Sequence, residues 1–461
     1  MLILTVIALL CHLAGVIAAM HALMHTRTAQ GAMAWTLGLL LLPYLTLVLY
    51  LYLGRSSFRG YEQARRLRHA QVRDEAQGQQ ALPPECARLA ALTAMLGRRF
   101  HPGQSLRLLI DGEATFAAIL AAIAEARDYV LMQFFVIHDD RLGRRVRDAL
   151  LERAAAGVSV CVLYDGVGSH ALPRRYVDSL RAGGVAIHRF AAHKRPNRFQ
   201  LNFRNHRKIV VVDGARAFVG GLNVGDEYLG LKPPLAPWRD THLELIGPAV
   251  ADVQRSFAHD WHWATGAWPP QKHAPAGNGA AWTLIADTGP ADTQENCALI
   301  FVAAIHAARR RVWLSSPYFV PDAALAAALR LAVERGVDVR VLMPSRPDHR
   351  TVFLASSLHA NAAARAGVGM YRYQPGFVHQ KVLLVDDDVT MIGSMNLDSR
   401  SFRLNFEIGA LNVDRRFAAE VETMLREDFA RAERLTVREY DEAPYFRRLA
   451  MHVARLFDPI L

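Results

Sequence analysis

The chain has 461 residues, a formal net charge of +11 and a pI of about 9.7. It is long enough for two or three domains, and its basic balance favours an anionic partner: a membrane surface, a phosphate substrate or nucleic acid. Its four cysteines, Cys11, Cys86, Cys161 and Cys297, are scattered with no metal-ligand or disulfide-framework spacing. That excludes a disulfide scaffold and a structural zinc site, and fits a reducing compartment.

Residues 2–24 are uncharged and mostly apolar, and 32–54 form a second uncharged run. Each is long enough to cross a bilayer core of ~30 Å at ~1.5 Å per residue. The short turn between them, around Arg27, makes the pair a transmembrane hairpin over 1–54, with Pro43 a kink in the second span. A cleaved signal is the competing reading for the first run; the absence of a basic segment before it and the second span directly after it argue against cleavage. A basic juxtamembrane linker, 55–100, follows with Arg55, Arg59, Arg65, Arg66, Arg68 and Arg73. By the positive-inside rule that side is cytoplasmic, and the arginines can meet anionic headgroups.

From 101 the chain alternates strands and helices. Leu106–Ile110, Tyr129–Ile137 and Val158–Tyr164 read as strands; Ala114–Ala126 and Gly143–Ala156 read as helices. The alternation predicts an α/β sandwich with a largely buried sheet. The second half repeats the order: a helix at Ala298–Ala308, a strand at Val312–Ser315, another at Val337–Met343. The predicted units are a first α/β/α domain at 101–266, a Pro/Gly-rich linker at 267–281 and a second such domain at 282–461, related by a pseudo-twofold axis.

The repeat is sharpest at one motif: His206-x-Lys208, four apolar residues and Asp213, then His379-x-Lys381, four apolar residues and Asp386. Seventeen residues past each His comes an Asn, Asn223 or Asn396, and the two copies are 173 residues apart throughout. The chain holds five lysines against a large majority of arginines, so a lysine at both places points to a role for a compact ammonium. On a strand, His and Lys two residues apart share a face.

A His, a Lys and an Asn converging from each half suit a phosphodiester. Lysines and amides bind the non-bridging oxygens; one His attacks phosphorus, and the other protonates the leaving alkoxide and deprotonates the next acceptor. This scheme needs no metal and no cofactor, and which His attacks does not follow from the sequence. His206, Lys208, Asp213, His379, Lys381 and Asp386 are the expected catalytic set. Glu227 and Glu407, after the two asparagines, are candidates to orient the histidines, each for the His of the opposite half.

These motifs resemble the phospholipase D superfamily and, more narrowly, the bacterial cardiolipin synthases. The resemblance extends to Gly220-Gly221-Leu222-Asn223, Trp238-Arg239-Asp240-Thr241-His242, Pro317-Tyr318-Phe319-Val320-Pro321-Asp322, Leu404-Asn405-Phe406-Glu407 and the apolar N-terminal segment. One position departs: the family tends to carry Glu near Gln133, where this chain reads Gln133-Phe134-Phe135-Val136. The resemblance implies transfer of a phosphatidyl group from one phosphatidylglycerol to another through a phosphatidyl-histidine, with release of glycerol. It also implies an inner-membrane, multi-pass protein with cytoplasmic catalytic domains, bound to anionic lipid rather than nucleic acid. The alternatives are a phospholipase D-type hydrolase, or an enzyme using another phosphatidyl donor or acceptor, and, in another class, an inactive lipid-binding protein.

Overall fold

The computed structural model describes residues 2–54, 58, 61, 82–190, 202–292 and 294–461. The expected juxtamembrane arginines, Arg55, Arg59, Arg65, Arg66, Arg68 and Arg73, lie outside the described residues.

The N-terminal segment bears out the expected hairpin only in part. Helix α1 (Leu2–His25) has 24 residues and is long and apolar enough to cross a membrane. The expected second span is instead two helices, α2 (Ala29–Leu41) and α3 (Pro43–Leu53), separated at Leu42. Proline lacks an N–H and its ring clashes with the carbonyl four residues back, so it starts a helix rather than continuing one. Leu42 leaves helical geometry (φ −134°, ψ 56°) and the chain turns back. The pairings give the direction. The backbone at Leu39 lies against Gly15, the ring of Tyr44 against His12, and Tyr50 Oη within 2.7 Å of His21 Nδ1. Thus α2 runs antiparallel to α1 and α3 runs parallel to it. Both ends of the α2–α3 pair meet the globular part: Arg27 donates to the carbonyls of Pro290 (3.2 Å) and Asp292 (3.3 Å), and Leu53 O accepts from Asn202 Nδ2 at 2.8 Å.

The globular part is a duplicated α/β fold. The first half contributes β1 (His101–Ile110), β2 (Tyr129–Phe134), β3 (Ser159–Asp165), β4 (Ala186–Phe190), β5 (Arg204–Asn205), β6 (Ile209–Val212), β7 (Arg216–Gly220), β8 (Trp238–Arg239) and β9 (Thr241–Ile246). The second contributes β10 (Ala281–Thr288), β11 (Arg311–Ser315), β12 (Asp338–Pro344), β13 (Gly369–Tyr373), β14 (Phe377–Val378), β15 (Val382–Val385), β16 (Val389–Gly393), β17 (Asn405–Val413) and β18 (Ala432–Arg434). The main strand order is β18-β13-β12-β11-β15-β16-β17-β10-β1-β9-β7-β6-β2-β3-β4. About the β10–β1 junction the order mirrors itself, β17-β16-β15-β11-β12-β13 on one side and β9-β7-β6-β2-β3-β4 on the other, as a pseudo-twofold requires.

Helices cover the outer faces of each half, and a shared core fills the middle. There the helices Val250–Thr265 and Arg415–Ala430 pack against β6 and β15, burying Val253, Phe257, Val421 and Leu425 beside Ile209, Val211, Val382 and Leu384. The motif strands read as unbroken apolar runs because both their faces are covered. At the heart of this core each half buries one carboxylate. Arg207 Nη1 lies 2.9 Å from both oxygens of Asp260; Arg239 and Gln380 donate to Asp428 at 2.8 and 2.9 Å.

Candidate active site

Each His–Lys stretch lies just before a buried strand, and its backbone is pinned to the other half of the molecule. The short strand β5 pairs in parallel with the start of β17, and β14 pairs in parallel with β8. As a result His206 N donates to Phe406 O at 3.0 Å and His379 N donates to Arg239 O at 2.8 Å. In both cases the next residue on the pinning strand is a carboxylate: Glu407 in one copy, Asp240 in the other.

Those carboxylates orient the rings. His206 Nδ1 lies 3.0 Å from both oxygens of Glu407, and His379 Nδ1 lies 2.7 Å from Asp240 Oδ2. Each bond leaves Nε2 as the ring's second nitrogen, with both rings lining one cavity. Glu407 also accepts from Ser394 Oγ, Ser401 Oγ (2.9 Å) and Asn405 Nδ2 (3.0 Å). Burial pushes Glu407 up, but the adjoining His206 and Lys208 and the hydroxyl donors outweigh it and hold the carboxyl below its ordinary range. Burial pushes Asp240 up. At the first-half position equivalent to Ser394 the chain has Gly221, where an added Cβ would sit 2.1 Å from Asp240 Oδ1.

Glu407 thus stands where the sequence suggests, behind the His of the opposite half. Glu227 does not. Its carboxylate takes His138 Nε2 at 2.9 Å and Lys232 Nζ at 2.7 Å, which together hold it down to about 2 against the effect of burial. It lines the cavity without touching His379. Asp240 takes the place expected of Glu227. It lies within a stretch that carries the family resemblance, but it is seventeen residues beyond Asn223, whereas Glu407 is only eleven beyond Asn396. The longer first-half loop breaks the 173-residue register, so spacing alone misses it.

Both lysines are buried beside their histidines. Lys208 Nζ donates to His206 O at 2.7 Å; Lys381 Nζ lies 2.9 and 3.0 Å from the two ring nitrogens of His379. Burial lowers every member of this set: His206 to about 4, His379 well below its ordinary value, Lys208 well below and Lys381 to about 8. The two imidazoles line one cavity and the two lysines lie buried beside them, so four basic groups of depressed proton affinity are gathered at one place. The cavity is about 680 Å³ and is also lined by Asn223, Asn396, Phe135, Tyr228, Trp238, Tyr318, Arg204 and Arg400. Asn223 Oδ1 accepts from Val136 N at 3.2 Å and its Nδ2 donates to Tyr228 Oη at 3.1 Å. Asn396 Oδ1 is buried with no hydrogen-bond partner among the described residues.

Asp213 and Asp386 are not at this site. Each sits at the far end of its four-residue strand, about 13 Å from the lysine end at ~3.3 Å per residue. Each adopts left-handed backbone geometry, with φ 52°. Asp213 accepts the backbone N–H groups of Arg127 (2.9 Å), Asp128 (2.8 Å) and Tyr129 (2.9 Å) at the entry to β2. Asp386 does the same for Arg309, Arg310 and Arg311 before β11, and adds Arg88. Their expected catalytic role is therefore corrected to a structural one: both close the turn that aligns the motif strand with its neighbour.

A family model described as "Cardiolipin synthase, PLD-like domain" matches residues 119–261 and 301–429, and one described as "Phospholipase D-nuclease N-terminal" matches 13–55. Cardiolipin synthase A of Pseudomonas putida strain F1 is 56% identical over 464 residues, 98% of this chain and 97% of the relative. Cardiolipin synthase A of Pseudomonas entomophila strain L48 is 57% identical over 466 residues, with the same coverage. The chain belongs to the cardiolipin synthase family. Within the phospholipase D-like fold it also superposes on the crystal structure of a phosphatidylserine synthase from Haemophilus influenzae Rd KW20. The TM-score is 0.61 at 15% identity, over 81% of this chain and 100% of that one.

The position at which this cardiolipin synthase family member departs from the pattern, Gln133, does not reach the cavity. It is buried on β2 and its Nε2 donates to Asn205 Oδ1 (2.6 Å) and Asp260 Oδ2 (2.8 Å). A carboxylate there would face Asp260, so the amide suits the interior network. Phe135, two residues on, does line the cavity, its ring centroid 5.2 Å from that of His206.

Proposed function

We propose that the chain is a cardiolipin synthase that joins two phosphatidylglycerol molecules and releases glycerol. The observation that supports this most is the crossed arrangement of the site. Two imidazoles face one cavity, and each is held by a carboxylate from the opposite half, at 3.0 Å for His206 and 2.7 Å for His379. The names of relatives at 56–57% identity, Cardiolipin synthase A, support cardiolipin as the product.

In the proposed reaction the Nε2 lone pair of one histidine attacks the donor phosphorus. The P–O bond to the terminal glycerol breaks, and the other histidine gives that alkoxide a proton. The hydroxyl of a second phosphatidylglycerol then passes its proton to the same histidine as its oxygen attacks. The P–N bond breaks and the first imidazole is restored. Lys208, Lys381, Asn223 and Asn396 surround the phosphoryl oxygens and stabilise the charge that builds there. Entry of the anionic phosphate raises the depressed proton affinity of the acid histidine, so protonation follows binding.

The protein is membrane-associated through its apolar N-terminal helix. We further propose that α1 crosses a bacterial inner membrane while α2 and α3 enter the bilayer and return to the catalytic side. At ~1.5 Å per residue, α2 with 13 residues and α3 with 11 reach only about 20 and 17 Å, short of ~30 Å. Arg27 and the arginines that follow Gly54 in sequence then share one side, which the positive-inside rule makes cytoplasmic.

The test is incubation of the membrane-embedded protein with phosphatidylglycerol alone. Cardiolipin and free glycerol are expected in equal amounts. Phosphatidic acid in place of cardiolipin would make the protein a hydrolase, and no turnover would make it a binding protein.

A further inference from the structure

The duplicated fold builds one cleft from two equivalent half-sites, yet the cleft is not symmetric. The 173-residue register that relates the histidines also pairs Arg204 with Phe377 and Arg400 with Glu227. Arg204 stands two residues before His206, Arg400 four residues after Asn396, and both line the cavity. The equivalent places hold an aromatic ring tilted toward His379 and a carboxylate already held by His138 and Lys232. The two arginines of the lining thus have no basic counterpart at the equivalent places of the other half.

The bonds that position the Arg400 guanidinium run to neutral carbonyls. Arg400 donates to Asn202 O at 2.9 Å and to Ile460 O at 2.8 Å, and among the described residues no carboxylate pairs with it. Arg204 donates to Phe203 O at 3.0 Å and also feels the charge of the buried Asp165. Burial and then the charge of Arg204 lower Arg400 to about 10. The two charges act on one another, and an anion bound between them would add attraction to both.

Their place in the molecule indicates which anion. Asn202 Nδ2 donates to Leu53 O at the end of α3, while Asn202 O accepts from Arg400, which in turn holds Ile460 at the cavity wall. This run of bonds leads from the end of α3 to Arg400, and Arg204 follows Asn202 by two residues, so in the proposed topology the pair stands at the membrane-side edge of the cleft.

The proposed reaction has a need that the His–Lys pairs do not meet. In its second step they hold the phosphatidyl group, while the incoming lipid carries a phosphodiester of its own that does not react. We propose that Arg204 and Arg400 form a second phosphate site, which binds the unreactive phosphodiester of the acceptor lipid and presents its glycerol hydroxyl to the phosphatidyl-histidine. This rests on the cardiolipin-synthase reading above. The hydroxyl oxygen forms the new P–O bond, the P–N bond breaks, and the proton passes to the other histidine. The glycerol that leaves in the first step carries no phosphate and makes no use of the pair.

Two reactions of the membrane-embedded protein separate these roles: cardiolipin formation from phosphatidylglycerol, and exchange of labelled free glycerol into phosphatidylglycerol. Exchange passes through the same covalent intermediate with an acceptor that has no phosphate, and it also reports that a variant is folded. Arg204→Gln and Arg400→Gln are expected to lower cardiolipin formation roughly 10- to 100-fold with a raised KM for phosphatidylglycerol, and exchange by less than about threefold. Arg400→Lys is expected to recover part of the loss. Equal loss of both reactions in every variant, or undiminished cardiolipin formation, overturns the site. Inorganic phosphate at a few millimolar is expected to leave synthesis within about twofold; strong inhibition would make the pair a free-anion site and overturn the assignment to lipid. Wild-type protein that exchanges glycerol but forms no cardiolipin would instead refute the underlying reading.

Discussion

Replacing Asp240 by Asn tests the crossed site most directly. The side chain is fully buried; its Oδ1 accepts Thr241 N at 2.8 Å and its Oδ2 faces His379 Nδ1 at 2.7 Å. An asparagine fits the same space but has only one acceptor. Thr241 N claims that oxygen, which turns the amide nitrogen toward His379. Two donors cannot face each other, so the ring must move its proton to Nε2; that removes the lone pair a nucleophile needs and, in the acid role, leaves the imidazolium without a carboxylate behind it. Loss of the correct tautomer costs on the order of 10³- to 10⁴-fold in kcat, about 4–5.5 kcal/mol of transition-state stabilisation. The assay is initial-rate cardiolipin formation at saturating phosphatidylglycerol, with the thermal unfolding midpoint measured alongside to show an intact fold. Glu227→Gln is the matched comparison. It removes a carboxylate that lines the same cavity but touches His138 and Lys232, and its expected loss is below about tenfold. Near-normal activity in Asp240→Asn, or an equal loss in Glu227→Gln, would refute the reasoning.

Three further outcomes follow from the geometry. Asp213→Ala strips acceptors from three backbone N–H groups and leaves Ala at φ 52°; destabilisation of about 2–4 kcal/mol is expected with kcat of the folded protein within about threefold, whereas lost kcat at an unchanged unfolding midpoint would restore a catalytic role. His206 is lowered from 6.5 to about 4, so between those values the unfolded chain binds the proton that the folded one refuses; stability is full above pH ~6.5 and falls by on the order of 3 kcal/mol toward pH 4, a slope that His206→Gln should flatten in thermal melts between pH 7.5 and 5. A midpoint that rises on acidification would contradict this sign. For topology, Gln30→Cys is expected to react with an impermeant maleimide only from the catalytic side and Ile3→Cys only from the opposite side; labelling of both from one side would rule out a single span with a returning pair.

Much of the site is legible in the sequence because its members are set by local register. His206 with Lys208, and His379 with Lys381, share a face through the two-residue period of extended chain, and the apolar run after each marks a buried strand. The asparagines follow one hairpin later at equal spacing in both copies. The duplication itself is visible as a constant offset. None of this needs long-range information.

The carboxylates show where that reasoning stops. What stands behind a histidine is decided by the strand that the other half lays beside it, and loops of unequal length bring Asp240 and Glu407 to equivalent places from unequal sequence positions. The aspartates of the motif failed in the opposite sense. They lie close to the lysines in sequence, but four extended residues carry them about 13 Å away, to a turn where their use is hydrogen bonding to backbone. The membrane segment follows the same division. Composition determined that residues 2–54 are apolar and that Pro43 interrupts them. That α3 folds back along α1 was decided only by side chains meeting across three helices, Tyr44 on His12 and Tyr50 on His21. The sequence by itself determined the His–Lys pairs and their duplication. The tertiary structure alone decided the orientation of the histidines, the unequal edges of the cleft and the packing of the three apolar helices, because each depends on contacts between residues far apart in the chain.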